Sequence, residues 1–209
     1  MAAEKKKTTK AATKTGEGRE IIEMPKLDLR MIHITLEGDT SLIMHKWSEK
    51  AKKQMADKQQ GKATKGREKK VPKNDFESSM YEHPDGGYGF PTIAFKLAAV
   101  RGAKSAGFAM TDAKGAFHVV GELVPIKGKP NMREDMVRLS GPGGVADIRY
   151  RGEFKKWSVT LLIKYNGRMV TAEQLIGFFN LAGFSVGIGE WRPEKNGDHG
   201  MFHVKAGVN

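Results

Sequence analysis

The 209-residue chain contains no cysteine. Disulfides, thiolate metal sites and cysteine nucleophiles are therefore excluded, and a reducing cytosol suits the chain. No run of about 18 consecutive apolar residues is present, so no membrane-spanning helix is expected. The N-terminus carries lysines without an apolar segment behind them, unlike a secretory signal. A cytoplasmic protein with no membrane partner is the expectation. Aromatic residues are few, at 8 %. P-loop, serine-elbow and zinc signatures are missing, so no cofactor and no metal is expected.

Positive charge is abundant. The formal net charge is +12, with 36 Lys and Arg against 24 Asp and Glu. Its placement is uneven: residues 1–20 carry +3 and residues 46–73 carry +8, leaving about +1 for everything else. The presumed core is nearly neutral and the basic charge lies on two polar segments. Such segments suit a polyanionic partner, and they also suit a protein that uses lysines for solubility.

Residues 1–20 have no apolar pattern and read as a disordered arm. Met31 to Glu37 alternates as a strand with Ile32, Ile34 and Leu36 inward and His33 on the open face. A short apolar run, Leu42-Ile43-Met44, precedes His45-Lys46-Trp47. Ser48 can cap a helix to about Gln60, too polar to be more than a projection. Gly61 to Lys73 is rich in breakers, and Asp75 to Gly89 reads as a turn-rich loop. Pro91 opens a helix with Ala94, Leu97, Ala98 and Arg101 along one side. Gly102 to Gly115 reads as loop, Phe117 to Ile126 as one strand with Pro125 at an edge, and Pro130 to Pro142 as loop.

The C-terminal third is clearer. Val159, Leu161, Ile163 and Tyr165 form one face of a strand. Thr171 and Gln174 make a capping box for a helix whose stripe is Leu175, Ile176, Phe178, Phe179 and Ala182, with Gly183 as its stop. A Gly-rich loop and a closing strand follow. Strand, helix, loop and strand make the second half of a ferredoxin-like β-α-β-β-α-β layout, in the α+β class.

Within that loop Gly187 and Gly189 permit positive φ or close approach of another chain. Trp191, Arg192 and Lys195 add a flat ring, a planar guanidinium and an ammonium, a set that suits unstacked bases and phosphates. The same loop also fits a hairpin with Trp191 plugged into the core. Two further clusters have a similar character. His45-Lys46-Trp47, with Lys50 and Lys53 behind it, can stack a base and hold its phosphate, or Trp47 can anchor the next helix. Arg149 and Arg151 share a face of an extended segment that continues to Lys155 and Lys156, with Tyr150, Phe154 and Trp157 interleaved.

Ala182-Gly183, Gly187-Ile188-Gly189-Glu190-Trp191-Arg192-Pro193 and Gly200-Met201-Phe202 resemble the C-terminal end of the RAMP superfamily, the RRM-like proteins of CRISPR effector complexes. Leu42-Ile43-Met44-His45 resembles the family's start, and Ile148-Arg149-Tyr150-Arg151 adds weaker support. About half of the chain takes part, most similar to the subunits that coat the guide RNA. The resemblance implies one RRM-like domain over 21–209, an antiparallel sheet with helices on one face and a basic insertion at about 46–90. It also implies non-catalytic binding of single-stranded RNA or DNA, head-to-tail self-assembly along the strand, and contact with other nucleoprotein subunits. Two alternatives stand. One is a RAMP-type RNA endonuclease using His45 as acid or base. The other is a decoy, phage- or mobile-element-encoded, acting on another nucleoprotein complex.

Overall fold

Strict alternation of apolar residues fixes the centre of the molecule, because a strand buries every second side chain. The computed structural model describes residues 26–47, 49–62, 70–138, 144 and 146–206, without the side chains of Lys50 and Ala51. The expected N-terminal arm, the cap at Ser48, and most of the segments 61–73 and 141–144 lie outside the described residues.

Strand β1 (Leu29–Gly38) is followed by β2 (Leu42–Met44), helices α1 (Glu49–Gln59) and α2 (Pro72–Ser78), and the hairpin β3 (Tyr81–Glu82) and β4 (Tyr88–Pro91). Helices α3 (Thr92–Ser105) and α4 (Met110–Ala116) lead to β5 (Phe117–Val119) and β6 (Leu123–Pro125). A long hairpin, β7 (Pro130–Arg138) and β8 (Ala146–Phe154), precedes β9 (Ser158–Asn166), α5 (Ala172–Ser185) and β10 (Phe202–Val204). The chain is thus α+β.

The central sheet has the order β10-β1-β9-β5, and every neighbouring pair is antiparallel. With α3 after the first of these strands and α5 after the third, this is the ferredoxin-like arrangement. Ile34 and Leu36 of β1 and Val159, Leu161 and Ile163 of β9 point into the core shared with α3 and α5. His33 is exposed, as its register predicts. Two small sheets, β2-β8-β7 and β3-β4-β6, are built on this centre. Among the described residues no helix is long and apolar enough to cross a membrane.

Thr171 accepts from the N–H of Gln174, whose side chain accepts from the N–H of Thr171, so the expected capping box closes α5 at its start. The helix runs past Gly183 to Ser185, and Gly187, with φ +65°, takes the left-handed position beyond its end. Gly183 has a packing role instead: a Cβ there would lie 1.7 Å from the carbonyl oxygen of Phe202. Gly102 repeats the device between the helices, since its Cβ would lie 2.2 Å from the carbonyl oxygen of Phe178.

That close approach corrects the expected loop at 102–115. Gly102 lies inside α3, and Met110–Ala116 is helical. The buried side of α3 is Phe95, Ala98, Ala99 and Ala103, whereas Ile93 and Leu97 face solvent. Phe117 to Ile126 is two strands, broken at Gly121 with φ +89°, although Pro125 does lie in an edge strand. The expected turn-rich segment at 75–89 contains the end of α2 and both strands of a hairpin.

The expected loop at 130–142 contains β7. Charges rather than apolar residues carry its alternation: Arg133 and Asp135 form one face, and the exposed Met132 and Met136 the other. A search for apolar periodicity passes over such a strand.

Gly183→Ala should cost about 3 kcal/mol of stability through overpacking. Gly177 has nothing within 4 Å of an added Cβ, so Gly177→Ala in the same helix should add about 0.5–1 kcal/mol. Urea unfolding of the two variants beside the parent chain checks both signs.

Candidate functional site

The Gly-rich loop between α5 and β10 docks on the body by main-chain contacts. Glu190 N–H donates to the carbonyl of Ile43 at 3.0 Å, Gly200 N–H to Ser41 at 2.8 Å, and Ile188 N–H to Gly200 at 3.0 Å. Gly189 lies so close to β2 that a Cβ would meet the Ile43 carbonyl oxygen at 2.5 Å. The N–H of Gly187 is taken by Ala182 at 2.9 Å. Gly187 is buried with its N–H spent inside the chain, so the expectation that it serves a phosphate directly is corrected, and Gly189 brings the loop onto β2. Their conformational freedom is used to seat the loop against α5 and β2.

Side chains project from this seated loop. Trp191 holds φ +54°, a left-handed conformation that costs a non-glycine residue about 1 kcal/mol or more. The residue is 43 % exposed, so it is not a core plug. Arg192 places two nitrogens 2.9 and 3.0 Å from Glu194 and donates to the Gly189 carbonyl at 3.0 Å. Arg101 of α3 joins the same carboxylate at 2.9 Å. Arg192 is therefore a loop brace rather than an open cation. Lys195 is exposed.

Facing the loop is one side of the β2-β8-β7 sheet. On β8, Arg149, Arg151 and Glu153 alternate along that side, and β7 sets Asp135 opposite Arg149 and Arg133 opposite Arg151. Arg133 reaches Asp135 at 2.8 Å and Glu153 at 3.0 Å. Arg151 reaches Asp135 at 3.3 Å, is only 4 % exposed, and leaves its Nε buried without a partner. The expectation that Arg151 meets a strand is therefore corrected, because its charge is enclosed and neutralised inside the sheet. Phe154 and Trp157, the expected partners of the arginines, are buried in the core, where the Trp157 indole donates to the Thr40 carbonyl.

His45 lies just beyond β2, where the two arrays meet. Its Nε2 is 3.4 Å from Arg149, and its Nδ1 is 3.9 Å from Glu190 of the loop. Burial, then the charge of Arg151, holds its pKa below the ordinary histidine value, opposed by Glu190 and reinforced by Arg149. Next to it, Lys46 lies 5.9 Å from the centre of the Tyr81 ring, and Trp47 is 51 % exposed and so does not anchor a helix. Lys53 is exposed on α1, the helix that also carries Lys50. Lys155 and Lys156 are exposed at the opposite end of β8 from Arg149, away from His45.

A cleft of about 330 Å³ opens between α3 and the loop, with His45 and Glu190 on its wall, Ile93 and Leu97 along α3, and Arg101 with Arg192. Reading the sequence missed Arg101, Tyr81 and Arg133 as members of this region. For Arg133 a signal existed: Arg133 and Asp135 alternate two apart, as do Arg149 and Arg151, and such sets pair across a hairpin.

No family model matches the chain, and no curated protein matches it. Among solved structures, the crystal structure of Cmr6 from Pyrococcus furiosus is similar over 86 % of this chain and 100 % of that one, with a TM-score of 0.44 and 11 % identity. A CRISPR RNA-guided surveillance complex is similar over 83 % of this chain and 66 % of that one, with a TM-score of 0.33 and 10 % identity. Both likenesses are of chain trace alone and transfer no residue.

Asp135 neutralises two arginines at once, so Asp135→Asn should cost about 3 kcal/mol by leaving buried charge uncompensated. Arg149→Gln at the rim should cost about 0.5 kcal/mol, and urea unfolding separates the two.

His45 and His118 both have lowered folded-state pKa values, chiefly through burial. The unfolded chain therefore binds their protons more tightly. Their contribution to stability is full above the unfolded value, about 6.5, and is lost as pH falls through the lower folded value. Unfolding scans from pH 7.5 to about 5 should show falling stability, and His45→Asn should flatten the fall.

Proposed function

We propose that this chain binds single-stranded RNA, without cleaving it, along the rim where the Gly-rich loop meets His45 and β8. One observation carries the reading. Three basic or aromatic clusters that are remote in sequence, at 45–47, 149 and 190–195, converge, with His45 3.4 Å from Arg149 and 3.9 Å from Glu190. Trp47 and Trp191 stand half-open nearby in the chain, as rings on which bases stack do. The RAMP-like residues of the loop support the same reading, and head-to-tail assembly along the strand belongs to it. Most contacts fall on the sugar-phosphate backbone and ignore sequence, with exposed lysines supplying the charge. A DNA strand offers the same phosphates, and only contacts to the 2′-hydroxyl would set RNA apart from it.

A second reading has its own support. A histidine kept neutral near pH 7 beside two arginines is equipped to take a proton from a ribose 2′-hydroxyl, so His45 suits RNA cleavage. Incubation of end-labelled RNA with the parent chain and with His45→Ala separates the readings. Intact RNA in both supports binding alone, and cleavage lost in the variant establishes the nuclease.

Binding to a fluorescent 20-nucleotide RNA should weaken by about 10²-fold or more between 50 and 200 mM salt. Trp47→Ala and Arg149→Ala should each weaken it about 5- to 30-fold, at a cost near 1–2 kcal/mol. Affinity that ignores salt would overturn the backbone-contact mechanism. If the chain elutes from a sizing column free of nucleic acid and ignores added strands, the decoy role takes its place.

A further inference from the structure

A second cavity, about 530 Å³ and within the size range of small-molecule sites, lies on the other side of the loop from the cleft at His45. It is an open depression, lined by Trp191, Asn196, Asp198 and His199 from the loop and by Arg133 and Asp135 from β7. Among the described residues, Trp191 (φ +54°) and Asn196 (φ +58°) are the two non-glycine residues with positive φ, and both lie on this wall. Strain of this kind persists only where the surroundings enforce it. Here His199 N–H donates to the Trp191 carbonyl at 3.0 Å, and Gly197 N–H to Arg192 at 3.1 Å. Gly197 is itself required, because a Cβ would lie 1.8 Å from the Trp191 carbonyl oxygen.

Arg133 and His199 are held in place before anything enters, whereas Asn196 and Asp198 stand exposed at the mouth. Arg133 is fixed between Asp135 and Glu153, and Glu153 accepts from the hydroxyl of Ser41 at 2.8 Å. Ser41 in turn lies 2.9 Å from Nδ1 of His199, whose Nε2 is 3.5 Å from Asp198. Charge decides what the cavity takes. Arg133 and Arg151 are balanced by Asp135 and Glu153, and Asp198 adds one further negative charge. A phosphate gains nothing there. The lining instead offers a neutral planar ring an indole to stack on, with the Asn196 amide, the Asp198 carboxylate and the Arg133 guanidinium as polar groups.

We infer that this cavity receives one unstacked nucleobase and reads its hydrogen-bonding edge, giving each bound copy one base-selective position. This deepens the strand-binding reading and rests on it for the strand. The Asp198 carboxylate only accepts, so it favours a base that presents N–H donors on that edge.

Two measurements on the full chain test it. In the first, the indole N–H resonances are followed by NMR while AMP, GMP, CMP or UMP is added, with Trp191 assigned through Trp191→Phe. The Trp191 signal should shift saturably at millimolar concentration, more for one base than for the others. In the second, 12-nucleotide RNAs of a single base (A, C or U) are compared for affinity. A spread of about fivefold or more is expected, and Asp198→Asn should change the order of preference. Asn196→Gly keeps the left-handed backbone, so folding is not at risk, and should narrow the spread. Equal affinity for all three RNAs, with an unmoved Trp191 signal, would overturn the base pocket while leaving strand binding intact. Mononucleotide shifts without strand binding would keep the pocket and overturn the strand reading.

Discussion

Everything proposed for this molecule depends on how closely a glycine-rich loop can approach a short strand. The carbonyl of Ile43 and the N–H of Glu190 are bonded at 3.0 Å, and a Cβ at Gly189 would collide with that same carbonyl. Gly200 adds a second tie to the segment before β2, through Ser41. These contacts hold the loop over the charged side of the β2-β8-β7 sheet. They place Glu190 beside His45 and set Trp191 on the same pocket as Arg133 and Asp135. Without them the region would be three separate basic patches.

Charge is distributed by the same geometry. Arginine on an exposed rim serves a polyanion, whereas arginine inside a sheet must be neutralised at once. Arg149 and Arg151, two apart on one strand, fall on opposite sides of that distinction. Arg149 is at the rim near His45, and Arg151 is enclosed with Asp135. Enclosure has a consequence for His45, whose proton is disfavoured by burial and by the neighbouring guanidinium. A buried charge thus tunes a group at the surface without touching a ligand.

Elements with local causes were legible in the sequence. The inward faces of β1 and β9 follow from alternation, and the start of α5 follows from its capping box. The closing strand and the Gly-rich loop were placed correctly, and with them the ferredoxin-like second half. Where apolar periodicity failed, another force had replaced it. Strand β7 is held by cross-strand ion pairs. The interior of α3 contains a glycine because α5 packs against its backbone. The stop of α5 moved from Gly183 to Gly187 because the first glycine is consumed by contact with β10. Within the site, Trp47 and Trp191 stand half-exposed, and His45 is partly buried between Arg149 and Glu190. Gly187 and Arg151 are instead buried, and Arg192 is spent on Glu194, so these three serve the scaffold.

The sequence by itself determined the class of fold, the near-neutral core with its basic segments, and the residue types available for the proposed strand-binding surface. All of these rest on composition, period and local capping, which act over a few residues. Only the tertiary structure decided which cations are open and which are spent. Some of the partners are local, such as Glu194 for Arg192, but others are remote: Asp135 for Arg151, Glu194 for Arg101 and Ile43 for the loop. Whether a guanidinium is a ligand or a brace is a question of what lies within about 3 Å of it, and no local pattern records that.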